Sequence, residues 1–338
     1  MKNIAKILVC TLAVCLAACS PPSDKGKKTP TSSSIGQPSE VLLVLDPEIM
    51  ATDLKDSLKA LLECDVPGLN QSEQFFRVSR VPQSIYKGEM TKMHSKLLVK
   101  VDRKLQACDI QVAYDVNARP QVQVLLTCPS AEELRSQLHS LAEKARQLLL
   151  DHQLKMQQSY LKRRPSKVML KELKAMGYEG YLPEEIAWAK KGESFVWGSS
   201  RTNEKQQNIV LYYYTSDGRE LDDLTRSVQI RDSVMQENIP GSRPDQWMET
   251  VWEQEEPVVG WEKCVRDGQE VTELRGLWQM RNGAMGGPFV SYHWYDESMH
   301  RVVVVEGFVY SPSTEKRDLM RHLEAGMRTI RPQAQKKI

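Results

Sequence analysis

Five carboxylates crowd into a short stretch at Glu249, Glu253, Glu255, Glu256 and Glu262, among Trp247, Trp252 and Trp261. Paired acids beside aromatic rings furnish sugar-cleaving grooves, where the separation of two carboxyls sets the stereochemical course. A solvated hairpin with tryptophans beneath it has the same composition and needs no catalytic purpose. Glu273 adds one more acid of that kind. Glu306 is different: within RVVVVEGFVY it shares a strand face with Val302, Val304, Phe308 and Tyr310. A carboxylate among apolar neighbours needs a cation or donors, or it takes up a proton. Arg275 is the expected partner across neighbouring strands, with Arg301 as competitor, and the pair is expected to serve stability rather than catalysis.

Other residue types give less. None of the six histidines shows HExxH or a comparable ligand spacing. His293, between Tyr292 and Trp294, reads as a packed imidazole, since zinc needs three or four convergent ligands. No metal and no cofactor are expected. Ser194, Ser291 and Ser311 lack the GxSxG elbow. Met285-Gly286-Gly287-Pro288 is the sharpest turn signal, and both glycines are expected in backbone angles closed to other residues, just before a strand that Pro288 opens. It lacks the surroundings of a phosphate loop. Arg275, Glu306, Trp278, Gly286, Gly287 and His293 therefore form a candidate binding or structural site, and no catalytic residue is identified.

The chain opens with Lys2, Lys6 and an apolar run from Ile7 to Ala17, then Leu16-Ala17-Ala18-Cys19. This is an export signal too short to span a bilayer. A cysteine directly after Leu-Ala-Ala resembles the bacterial lipoprotein signal, which implies that Cys19 is acylated and becomes the first residue. Several acyl chains on one residue anchor stably. Ser20 at the next position implies passage to the outer membrane, with the folded part facing the periplasm. Cleavage also removes Lys2 and Lys6, so the 46 basic residues become 44 and match the 44 acidic ones. Such balance gives no reason to invoke nucleic acid. The basic run from Lys155 to Lys174 reads as a solvated helix end.

The elements that must position these residues fall into two halves. After a signal peptide at 1–18 and a Ser- and Pro-rich tether at 19–38, residues 39–163 carry strand patterns at Val41–Leu45, Phe75–Val81, Lys96–Val101, Asp109–Val116 and Gln121–Thr127. Leucines at helical spacing follow the first of these, and a long helix from Ala131 closes the half. Residues 164–191 read as a connector with a short helix over Lys167–Met176, and 192–330 as a second half, with a tail at 331–338. The second half contains strands at Glu193–Trp197, Asn208–Tyr214, Met248–Trp252 and Val258–Val265, and a helix near Leu221–Glu237. Three more strands lie between Gln269 and Tyr310. A last helix over Thr314–Met327 is expected to be capped by Ser313, with Leu319, Leu323 and Met327 inward. The class is α+β, with antiparallel or mixed sheets covered by helices. Both halves end in an apolar strand, Pro-Ser and an acid-led helix, which suggests two related units. Cys64, Cys108, Cys128 and Cys264 allow three complete disulfide pairings, and their spacing does not choose among them.

TELRGLWQM at Thr272–Met280, MGGPFVSY at Met285–Tyr292 and VVVVEGFVYSP at Val302–Pro312 resemble the DUF4837 family of Bacteroidetes lipoproteins. ESFVW at Glu193, RDSVMQENIPG at Arg231 and the leader extend the resemblance over nearly the whole mature chain. Gly283-Ala284 departs from the bulkier pair in relatives, which would loosen the turn before Gly286. The resemblance implies location and a shared fold, and no reaction. The expected function is a lipid-anchored envelope protein that binds a protein or glycan partner. The alternative is an envelope hydrolase acting on glycan or peptidoglycan through the acids of Glu249–Glu262 and Glu273.

Overall fold

The computed structural model describes residues 32–202, 204–254 and 256–333. Cys19, the signal and most of the tether lie outside the described residues. Among those described, no helix is long and apolar enough to cross a membrane. The last tether residues are attached to the first unit: Ser33 bridges to Arg119 and Ile35 to Met93.

The first unit comprises β1 (Glu40–Leu45), α1 (Pro47–Met50), α2 (Leu54–Leu62), β2 (Arg77–Pro82), β3 (Ser95–Val101), β4 (Asp109–Tyr114), β5 (Val122–Cys128), α3 (Ala131–Ser136) and α4 (Leu138–Arg163). Its sheet runs β2-β1-β3-β5-β4; β4 is antiparallel to its neighbour and the other pairs are parallel. Parallel neighbours require a crossover, which α1 and α2 supply between β1 and β2. Leu54, Leu58 and Leu62 recur at helical spacing and join Leu141, Ala145 and Leu149 of α4 over Val41, Leu43 and Leu97. Cys108 and Cys128 form a disulfide, while Cys64 and Cys264 are free, so no complete pairing forms.

The second unit contains α5 (Lys167–Ala175), β6 (Tyr178–Glu179), β7 (Trp188–Lys191), β8 (Phe195–Ser199), β9 (Gln206–Thr215), α6 (Leu224–Asn238), β10 (Met248–Thr250), β11 (Trp252–Glu253), β12 (Glu256–Pro257), β13 (Val259–Arg266), β14 (Gln269–Met280), β15 (Gly286–Asp296), β16 (Arg301–Tyr310), α7 (Arg317–Met327) and β17 (Arg331–Pro332). Its large sheet is antiparallel, in the order β10-β14-β15-β16-β9-β8-β7, with β13 also on β14. The valine run of β16 lies in its middle, covered on both faces. Val303, Val305 and Val309 join Leu323 and Met327 of α7, while Val302, Val304 and Phe308 join Val228 and Met235 of α6. The two units are both strand-rich and each is followed by a helix, but one sheet is largely parallel and the other antiparallel. The echo between them is confined to their endings.

Three expectations change here. The connector is part of the second core, where Met169, Leu173, Tyr178 and Ile186 are buried. The tail begins as a strand, with Arg331 and Pro332 paired to Glu179 and Tyr178. The last helix starts at Arg317 rather than Thr314, and its cap is not Ser313. Glu73 of the first unit accepts from the Lys316 amide at 2.7 Å and the Arg317 amide at 2.8 Å. A carboxylate there satisfies orphan donors and complements the helix dipole.

Gly286 and Gly287 do not occupy the left-handed region, contrary to expectation. Space decides these positions. A Cβ on Gly287 would lie 2.1 Å from the Val309 carbonyl oxygen, and one on Gly286 2.9 Å from that of Trp278. Both obstacles are backbone and cannot rotate away. Gly287→Ala is therefore expected to destabilise by about 1 to 3 kcal/mol, the usual cost of overpacking, as a lower urea midpoint. An unchanged midpoint would show that β15 can move aside.

Candidate functional site

On β14 the side chains alternate: Leu274 and Trp278 join the α6 core, while Val271 joins the α7 core and shares its face with Glu273 and Arg275. That mixed face meets α7, whose Arg317, Arg321 and Glu324, with Arg328 at its C-cap, are spaced by four, three and four residues along one side. The first unit closes over both with Phe75 and Arg146. These groups wall a cavity of about 140 Å³ between the units.

Its carboxylates are clamped. Glu324 accepts from Arg275 Nη1 at 3.0 Å and Nη2 at 2.6 Å, and from the Tyr292 hydroxyl at 3.3 Å. Glu273 accepts from Arg266 Nε at 2.8 Å and also from Arg275 Nε. Burial alone would raise the Glu324 pKa, but the charge and hydrogen bonds of Arg275, with Arg328 and Arg321 nearby, hold it down at about 2. A carboxyl held that low gives up no proton near neutral pH, where a general acid must work. Burial, then the Glu324 charge, pushes the Tyr292 hydroxyl up. The arrangement suits binding through fixed charges.

Arg266 and Arg328 also border an open groove of about 440 Å³, lined by Lys155, Lys162, Tyr181 and Arg331. The Lys162 ammonium sits 5.9 Å from the centre of the Tyr181 ring. Two members of the basic run thus face a groove, while Lys167, Lys171 and Lys174 belong to α5 and its end.

Glu262, Cys264 and Glu273 bring three ligand atoms within 4.8 Å of one another. They fit a metal poorly. Two arginines already hold Glu273, Arg266 also grips Glu262 at 2.6 Å, and burial pushes the Cys264 thiol up to about 11. A cation would have to displace both guanidinium groups and deprotonate that thiol.

The residues singled out in sequence separate into different places. Arg275 and Glu306 do not pair, because β15 lies between their strands. Arg275 turns to Glu273 and Glu324, whereas Glu306 lies on the opposite face and takes both arms of Arg231 from α6, at 2.8 and 2.7 Å. Both Glu306 and Arg231 are completely buried. Arg231 also lies 4.0 Å from the Phe289 ring centre and donates to Thr250. Arg301, the competitor, bonds Asp296 and the Tyr178 hydroxyl.

Trp278 is core: its Nε1 donates to the Val309 carbonyl at 3.2 Å and its ring meets Phe308 edge-on. His293 is sealed in the same face and bonds Ser291 Oγ at 2.7 Å. Burial, with Arg231 nearby, drives its pKa down to about 3. Ser291, His293 and Glu306 are the residue types of a hydrolase triad, but Glu306 is committed to Arg231 rather than orienting the imidazole. Of the acids near the tryptophans, Glu255 lies outside the described residues, and Glu249, Glu253 and Glu262 separate. Glu249 pairs with Arg281, Glu253 is exposed, and Glu262 joins Glu273 through their shared Arg266.

Glu324, Arg321, Arg328 and Arg231 were not anticipated. On α7 the signal was present as charges at helical spacing beside Met320, Leu323 and Met327, a pattern that ordinarily marks a solvated face.

Residues 166–329 match the domain of unknown function DUF4837. Residues 34–162 match a different one, DUF8532. The DUF4837 region takes in all the quoted C-terminal segments, and it includes α5 and all but the first two residues of the stretch read as a connector. It does not reach the leader or the first unit, so the resemblance covers less of the chain than expected. The two matches meet at the end of α4, and the cavity lies between a DUF8532 wall and a DUF4837 wall. No curated protein matches the chain.

Proposed function

We infer that the protein is a lipid-anchored component of the bacterial envelope, which binds an acidic glycan or protein segment in the cleft between its units and does not turn it over. The carrying observation is that Glu273 and Glu324 are both held by guanidinium groups, which commits both carboxylates and keeps Glu324 ionised. The neighbouring groove, with Lys155, Lys162 and Arg331, favours an acidic partner.

The lipoprotein pattern ending at Cys19 and the resemblance to Bacteroidetes lipoproteins support the anchor, with the folded units on the periplasmic side of the outer membrane. The Cys108–Cys128 disulfide fits an oxidising compartment. A fatty-acid probe fed to cells should label the protein, and Cys19→Ser should abolish the label; persistent labelling would contradict the anchor. Solubilised envelope glycans passed over the immobilised chain should be retained without new reducing ends. Sustained release of reducing ends would favour the hydrolase alternative.

A further inference from the structure

Two guanidinium groups on the cavity wall have only neutral partners among the described residues. Arg321 of α7, 3% exposed, donates to Gln153 Oε1 at 3.0 Å and to the Phe75 carbonyl at 2.7 Å. Arg146 of α4 donates to the Leu61 carbonyl and the Cys64 sulfur, each at 3.0 Å. Both lie near one ring: Arg146 Cζ is 4.8 Å and Arg321 Cζ 5.8 Å from the centre of Phe75.

Six arginines and four glutamates line the cavity, and Arg266 and Arg275 already occupy Glu273 and Glu324. Arg317 and Arg328 pair with Asp318 and Asp151, so Arg321 and Arg146 are the two guanidinium groups of the wall with no carboxylate partner among the described residues. Holding a guanidinium there without an anion is costly. Burial, with Arg317 alongside, lowers the Arg321 pKa to about 10. The space is about 140 Å³, roughly ten times the ~10–15 Å³ that one water requires.

We propose that this cavity is an oxyanion site, in which Arg321 and Arg146 receive a carboxylate or phosphate group of the bound ligand beside Phe75. The proposal rests on the cleft being the ligand site. Guanidinium forks match both groups in bidentate geometry. Arg146 and Arg321 belong to different units, so an anion held by both would also tie the units together.

Titration calorimetry of the full-length chain in detergent, with sodium phosphate and separately with sodium acetate, should reveal one saturable site above a sodium chloride control of equal ionic strength. The tighter of the two identifies the group. Arg321→Gln and Arg146→Gln should each weaken this binding about tenfold or more, and Arg243→Gln, on an exposed turn, should leave it unchanged. Arg146 is only half-buried, so its variant serves if Arg321→Gln does not fold. No saturable binding of either anion, or full affinity in folded Arg146→Gln, overturns the proposal. If anion binding is absent while envelope glycan is still retained, only the oxyanion site is lost. Release of reducing ends would instead overturn the non-catalytic reading.

Discussion

Arg231→Met is expected to lower the unfolding free energy by about 3 to 5 kcal/mol, the usual consequence of stranding one member of a buried ion pair. Glu306 would remain completely buried without a cation, and burial already pushes its carboxyl up against the pull of Arg231. Its pKa in the folded variant should therefore rise further above the unfolded value. Stability that depends on the protonated form is present below the unfolded pKa and lost as pH rises through the folded one, so the defect should shrink on acidification. Arg231→Met with Glu306→Leu should recover much of the loss, because apolar replacement of a whole buried pair is often tolerated. Urea unfolding at two pH values measures all of this. A single variant as stable as the parent would mean that Glu306 finds another partner.

Arg275→Ala is expected to cost about 3 kcal/mol, the low end for a broken buried pair, because Arg266 remains on Glu273. In a double-mutant cycle, Arg275 and Glu324 should couple by more than about 1 kcal/mol, while Arg275 and Glu306 should be additive within about 0.5 kcal/mol. The pH dependence follows from the depressed Glu324 pKa. Its contribution is present above the unfolded carboxyl value and is lost as pH falls toward about 2. Arg275→Ala should flatten that part of the acid-unfolding profile. Strong coupling between Arg275 and Glu306 would contradict the placement of these charges on opposite faces.

Much of this architecture could be read from periodicity. The alternation of β14, the valine run of β16 and the leucines of α2 placed strands, helix and faces correctly, because burial of one face imposes a period of two or 3.6, whereas the long helix read from Ala131 breaks at Gln137 into α3 and α4. The need for a cation at Glu306 was also legible. Its identity was not, since Arg231 is 75 residues away in the chain, on the helix that covers this face. Glu73 capping α7 is a pairing across 243 residues, and no local motif announces it. Gly286 and Gly287 were recognised as constrained for the wrong reason: the limit is the approach of a neighbouring strand, which only the register of β14, β15 and β16 determines. The cavity was hidden for the same cause, since half its wall comes from each unit.

Carboxyl-carbon NMR of the full-length chain, with labelled glutamate and Glu324→Gln for assignment, tests the central claim that Glu324 in the cleft is a fixed charge and exchanges no proton. The Glu324 signal should stay in its ionised position from pH 8 down to pH 4, consistent with a pKa near 2. A titration midpoint between about 5 and 7, where a general acid would be poised, would contradict the binding account and favour an enzyme.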